Sequence, residues 1–199
     1  MKKLRVNKVF ITFFFFISIC SNSLANISSN FIDDITKKAS IILTSKDTRE
    51  TKIQELIKIG ESSVDIDGIG FYTLGKHRKI LSDEQKDEFK KIFRDYFLKS
   101  FSSRLVEYKE AKIVVISEDV KNEKYTIVKS KLIATSNRPE ILIDWRVYTK
   151  DPSKPLIRDL IIEGLSLART QREEFNSIIM NNDGDINALF TSLREFNKR

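Results

Sequence analysis

The sequence predicts an α+β fold, an antiparallel four-stranded curved sheet flanked on both sides by helices. Three observations lead there. Apolar residues between positions 31 and 105 recur mainly at three- and four-residue steps, the helical period. From 112 to 163 that period gives way to β-branched and aromatic runs separated by short turn-like links. After Gly164 the helical period returns to the end of the chain. Helices, a run of strands and helices again is the pattern of a sheet covered by helices.

The first predicted helix covers Phe31 to Leu43, with apolar residues at 31, 32, 35, 39, 42 and 43. A second covers Lys46 to Ile59, with Ile53, Leu56, Ile57 and Ile59 on one side and Gly60 as its stop. From Asp65 to Leu81 the glycines at 68, 70 and 75 predict a turn and a short helical piece holding Phe71, Tyr72 and Leu74. Ser82-Asp83-Glu84-Gln85 is a capping box, in which the serine hydroxyl and the glutamine side chain satisfy free amides at a helix start. It opens a helix to about Val106 with the stripe Phe89, Ile92, Phe93, Tyr96, Phe97, Phe101 and Leu105. Such a stripe is ordinarily core packed against a sheet.

Four strands follow: 112–117, 124–135, 140–149 and 156–163, linked by 118–123, Asn137-Arg138-Pro139 and 151–155. Short links between successive strands predict an antiparallel meander. In the third strand Ile141, Ile143, Trp145 and Val147 share one face, while Asp144 and Arg146 take the other. Two helices close the chain. One runs from Ser166 to Met180, stopped by Asn181-Asn182-Asp183-Gly184, and one from Ile186 to about Asn197.

Residues 1–25 read as a secretory signal peptide. Lys2, Lys3, Arg5 and Lys8 precede an apolar run from Val9 to Ile19, and Ser23-Leu24-Ala25 offers small residues for cleavage after Ala25. An uncleaved anchor is the other reading, but a run of about 11 residues falls short of a bilayer's roughly 30 Å core. A lipoprotein would need a small residue before Cys20, where Ile19 stands. Without the leader the chain has 31 basic and 28 acidic residues, a net charge of +3, so nucleic acid loses its case as a partner. Cys20, the sole cysteine, leaves with the leader. Residues 26–199 must then rely on a hydrophobic core, and their length suits a single domain.

Little in the chain suggests catalysis. His77 is the single histidine and sits in a basic segment, Lys76-His77-Arg78-Lys79, expected on the surface. That removes Cys/His nucleophilic pairs and multi-histidine metal sites, so no metal, cofactor or catalytic residue is assigned. Asp65-Ile66-Asp67-Gly68 and Asn181-Asn182-Asp183-Gly184-Asp185 approach calcium-loop composition without its ligand spacing. Asp144, Asp159 and Glu163 leave two readings open: a carboxylate base, or structural pairing of Asp144 and Arg146 with neighbouring strands.

The stretch Asp144-Trp145-Arg146-Val147-Tyr148, then Ile157 to Glu163-Gly164-Leu165-Ser166-Leu167, then Gln171-Arg172-Glu173-Glu174-Phe175 resembles the MlaC family of periplasmic phospholipid-binding proteins, auxiliary components of ABC transporters. Upstream, Phe71-Tyr72-Thr73-Leu74-Gly75 and Leu81-Ser82-x-x-Gln85-x-x-x-Phe89 are similar to the family, as is Asn182-x-Gly184-x-Ile186-x-x-Leu189 downstream. Leu165 to Ala168 departs from it, lacking a bulkier methionine-like residue, and Arg169-Thr170-Gln171 lacks an aromatic.

The resemblance implies an NTF2-like cone of sheet wrapped by helices around an apolar lipid cavity. It implies a periplasmic carrier that shuttles phospholipids between inner and outer membranes and maintains outer-membrane asymmetry. The implied partners are phospholipid, an inner-membrane ABC transporter complex with a lipid-binding periplasmic subunit, and an outer-membrane lipoprotein–porin complex. The large apolar positions on the inferred inner faces, Phe71, Leu74, Phe93, Phe97, Phe101, Ile143, Trp145, Val147, Ile161 and Leu165, are then the expected lipid-binding wall. The alternatives are an NTF2-like periplasmic enzyme acting on an apolar small molecule, with Asp144 or Tyr148 in acid–base work, and a scaffold with a filled core.

Overall fold

A five-stranded antiparallel sheet in the order β1-β2-β3-β4-β5 carries the structure, a computed structural model that describes residues 26–108 and 112–199. The predicted signal peptide lies outside the described residues. The strands are β1 (Ile113–Asn122), β2 (Tyr125–Leu132), β3 (Ile141–Tyr148), β4 (Leu156–Ile162) and β5 (Leu165–Ser166). The helices are α1 (Ile27–Thr44), α2 (Arg49–Ser63), α3 (Ile66–Thr73), α4 (Asp83–Leu105), α5 (Leu167–Met180) and α6 (Ile186–Lys198), with a 3₁₀ turn at Gly75–Lys79. Among the described residues no helix is long and apolar enough to cross a membrane.

The sequence expectation of four strands needs correction, because the chain turns back once more. Glu163 and Gly164 both adopt positive φ (48° and 81°), the backbone of a type I′ hairpin turn. That turn returns Leu165 and Ser166 to pair with Ile162 and Ile161 as a short fifth strand. The first hairpin differs as well. The predicted 118–123 link is mostly strand, and only Glu123 and Lys124 separate β1 from β2. Its polar side chains are those of an edge strand, half-buried or exposed from Ser117 to Asn122.

Three glycines read as breakers, Gly60, Gly68 and Gly70, lie inside helices instead. Gly60 does not stop α2, which continues to Ser63; a Cβ there would sit 3.0 Å from Leu98 Cδ2. Close packing of α2 on α4 thus offsets a propensity penalty of about 1 kcal/mol. Gly70 lies within α3 for the same reason, since a Cβ there would come within 2.8 Å of the Phe93 ring. The capping box at Ser82 and Gln85 is present and starts α4.

The core packs where α4 meets α3, α5, α6 and the sheet. Phe89 stacks on Phe93 (5.4 Å between centroids) and on Phe190 of α6 (5.7 Å), and Phe93 meets Phe175 of α5 edge-on at 6.1 Å. All four rings are about 1% exposed, and burial of each contributes roughly 1.5–3 kcal/mol. A separate apolar cluster of Leu43, Leu56 and Val106 clamps the α1–α2 hairpin onto the far end of α4. Arg49 reaches Glu107 across the same junction (3.0 Å), and Ser29 donates from its amide and hydroxyl to Glu118 of β1.

Candidate functional site

Side chains do not fill the space between those two clusters. A cavity of about 410 Å³ lies between α1, α2 and α4 on one side and the concave face of β1–β4 on the other. That volume is within the usual range of ligand pockets.

Each wall follows from the period of its element. On α4, Phe93, Tyr96, Phe97, Ser100, Phe101, Arg104 and Leu105 face inward at three- and four-residue steps. On α1, Ile35, Thr36, Ala39, Ser40 and Leu43 do the same, and α2 adds Leu56, Ile59, Gly60 and Ser63. Ile113, Leu132, Ile141, Ile143 and Trp145 form the sheet side. A bulge in β4 decides the rest. Val147 pairs with Ile157 and Trp145 with Leu160, so β4 advances three residues while β3 advances two. Leu160 and Ile162 consequently join the face that bears Trp145 and Ile143.

Polar groups near this wall are mostly turned away from it. The Thr36 and Ser63 hydroxyls donate to the carbonyls of Ile32 (2.8 Å) and Ile59 (2.6 Å), one turn back on their own helices. The Trp145 indole donates to Ser130 Oγ (2.8 Å), which in turn donates to the Ile143 carbonyl (3.0 Å). Asp159, 4% exposed, accepts from the Ala168 amide (3.0 Å) and the Ser166 hydroxyl (2.6 Å), capping the start of α5. Tyr96 donates to Gln171 Oε1 (3.0 Å), and burial raises its phenol above the ordinary range. The resulting surface is predominantly apolar.

The structure brings five of the ten predicted wall residues together: Phe93, Phe97, Phe101, Ile143 and Trp145. The other five lie off the wall, each for a physical reason. Phe71 packs over Phe89 (6.3 Å) and under the Lys90 ammonium at the α3–α4 junction. Leu74 and Val147 are fully buried in solid core, at 1% and 0% exposure. Ile161 pairs with Asp144, so the bulge puts it on the opposite face of the sheet. Leu165 follows the hairpin turn and is 70% exposed. Sequence reasoning missed the α1 and α2 contributions, although the stripe Ile35–Ala39–Leu43 was visible. An amphipathic stripe looks the same whether its neighbour is a side chain or a void.

His77 corrects another expectation: it is 7% exposed, its Nε2 lying 3.2 Å from Asn176 Oδ1. Asp144 and Arg146 form no ion pair among the described residues; Asp144 stands opposite Lys129 in the register. The cation that does cross-link strands is Arg158, bonded to Asp65 (2.5 Å) and the Tyr125 hydroxyl (2.6 Å) and stacked on Tyr148 at 3.8 Å. Tyr148 is thereby committed to that stack, away from the cavity wall. Among the described residues no group of His, Cys, Asp and Glu could hold a metal ion. A second depression, between the end of α5 and one side of α6 as far as Glu195, is a polar surface dent.

The chain is similar to known proteins both by family and by fold. The family model described as MlaC protein matches residues 26–195. The solved structure of a phospholipid-binding protein from Ralstonia solanacearum, in complex with a phospholipid, superposes with a TM-score of 0.69. The match has 18% identity and covers 88% of this chain and 97% of that one, a likeness of fold. None of the curated proteins compared matches the chain.

Proposed function

The chain belongs to the MlaC family, and from that premise we propose that it is a periplasmic phospholipid carrier and has no catalytic role. The observation that carries this reading is the unfilled apolar cavity between α1, α2, α4 and the sheet. A two-tailed phospholipid exposes about 28 methylenes, and at about 0.8 kcal/mol each its tails are disfavoured in water by roughly 20 kcal/mol. Lipid cannot cross an aqueous compartment at a useful rate against that penalty. A carrier replaces bilayer contact with pocket contact, so the transfer is close to neutral and small shifts in pocket shape can load or release the cargo.

In this reading Phe93, Phe97, Phe101, Ile143 and Trp145 hold acyl chains, with the α1 and α2 residues closing over them. Residues 1–25 are a cleaved leader, and 26–199 form a single lipid-binding domain whose sheet is a variant of the NTF2-like cone. The protein shuttles phospholipid between an inner-membrane ABC transporter complex with a lipid-binding periplasmic subunit and an outer-membrane lipoprotein–porin complex. Outer-membrane lipid asymmetry is the outcome. The enzyme alternative draws no support from the site: Asp144 and Tyr148 are off the cavity wall, and both oxygens of Asp159 are occupied in capping α5.

Extraction of the purified protein with organic solvent, followed by mass spectrometry, tests the proposal. One phospholipid per chain is the expected result. Protein that yields no lipid and takes none up from vesicles would rule the carrier out.

A further inference from the structure

The cavity has a polar end. Of the charged side chains on its wall, Asp159 is fully engaged by the start of α5, whereas Arg104 has no carboxylate within ion-pair distance among the described residues. Ser100, one turn earlier on the same face of α4, is likewise on the wall, and its hydroxyl bonds to no described residue. This contrasts with Thr36 and Ser63, whose hydroxyls are satisfied by their own helices. Arg104 also lies where the cavity meets solvent. It is exposed, as are its fellow wall residues Tyr108 (41%) and Leu167 (43%). The same end of the sheet is where β1 and β3 begin and β2 and β4 finish, with Ile113, Leu132, Ile141 and Ile162 below the opening. A molecule held here has its apolar part between Phe93 and Phe101 and its exit beside Arg104, about 16 Å further along the helix axis than Phe93.

We infer that Arg104, with the Ser100 hydroxyl, is a headgroup anchor that takes the phosphodiester of a glycerophospholipid at the cavity mouth. This rests on the carrier reading and adds to it a source of ligand selection. A guanidinium offers paired donors to phosphate oxygens, and such charge-assisted bonds are stronger than neutral ones. A cation in the last turn of a helix also complements the helix dipole. That role would be indifferent to what the cavity contains, so ligand preference separates the two.

The test compares phosphatidylglycerol with diacylglycerol of the same chains, which has the tails and no phosphate. Competition against a fluorescent lipid gives both affinities for the purified protein and for Arg104→Gln. The phosphatidylglycerol-to-diacylglycerol preference should fall about tenfold in the variant, and its dependence on salt should weaken with it. An unchanged preference, with both ligands weakened equally or neither affected, overturns the anchor and leaves the carrier standing. Failure of the unsubstituted protein to bind either ligand would overturn the carrier reading as well. Arg104→Lys should recover part of the preference, because it keeps the charge and loses the paired geometry.

Discussion

The two halves of α4 carry one aromatic stripe and meet two different fates. Around Phe89 the stripe is sealed against α5 and α6, where Phe190, Phe175, Leu189 and Leu193 all pack into the core. Phe93 marks the border, packed on Phe89 and Phe175 while also lining the cavity. α6 is further fixed there by Arg194 to Glu88, by the Asn197 amide to the Ile92 carbonyl (3.1 Å) and by Lys99 to the Asn197 carbonyl (2.8 Å). From Phe97 to Arg104 the same stripe faces open space, and Phe97 and Phe101 stack on each other at 5.6 Å as its lining. The difference teaches that a helix does not choose between core and cavity. The choice is made by what stands opposite: α6 ends beside the middle of α4, and α1 and α2 are clamped beyond the gap by Leu43, Leu56 and Val106.

Truncation at each end should break the comparison most sharply. Phe89→Ala removes a ring packed on all sides and should lower stability by about 3–5 kcal/mol, read from denaturant unfolding. Under conditions where it remains folded, its lipid content should match that of the unsubstituted protein. Phe97→Ala removes a half-buried ring that already borders a void, so its stability loss should stay near 1–2 kcal/mol, while retained phospholipid drops well below one per chain. Equal stability losses with equal lipid content would erase the distinction between the two halves.

A smaller effect lies at their boundary, in Tyr96. Its phenol is held above its ordinary value of 10.0, chiefly by burial and secondarily by Glu174. A raised acid pKa in the folded state means that the unfolded chain ionises first. The Tyr96 contribution is therefore complete below pH 10, declines as pH climbs beyond it, and levels off once the folded protein ionises too. Tyr96→Phe should lose about 1 kcal/mol at neutral pH with the bond to Gln171, and show a shallower decline in alkali. An identical alkaline slope in the two proteins would show that other groups govern that limb.

Where local chemistry dictates structure, the sequence was a sound guide. The capping box at Ser82 and Gln85 set the start of α4, and the alternation of Ile141, Ile143, Trp145 and Val147 set the inner face of β3. It misled where local preference meets a neighbour. Gly60 and Gly70 read as breakers because their penalty is local, while the compensation from Leu98 and Phe93 comes from another helix. Ile161 and Leu165 read as inward because a bulge and a hairpin turn, which shift register by single residues, leave no periodic signature.

The chain's own pattern thus determined the number and order of the main helices, the antiparallel meander and the family resemblance, since each depends on spacing and on residue type. Only the folded structure decided that α4 is packed at one end and open at the other. It also decided that Val147 is sealed while Trp145 looks into the cavity, and that Arg104 stands at its mouth. Apolar side chains are driven from water without regard to what receives them. Whether a protein neighbour or a lipid tail does so is a property of the whole arrangement.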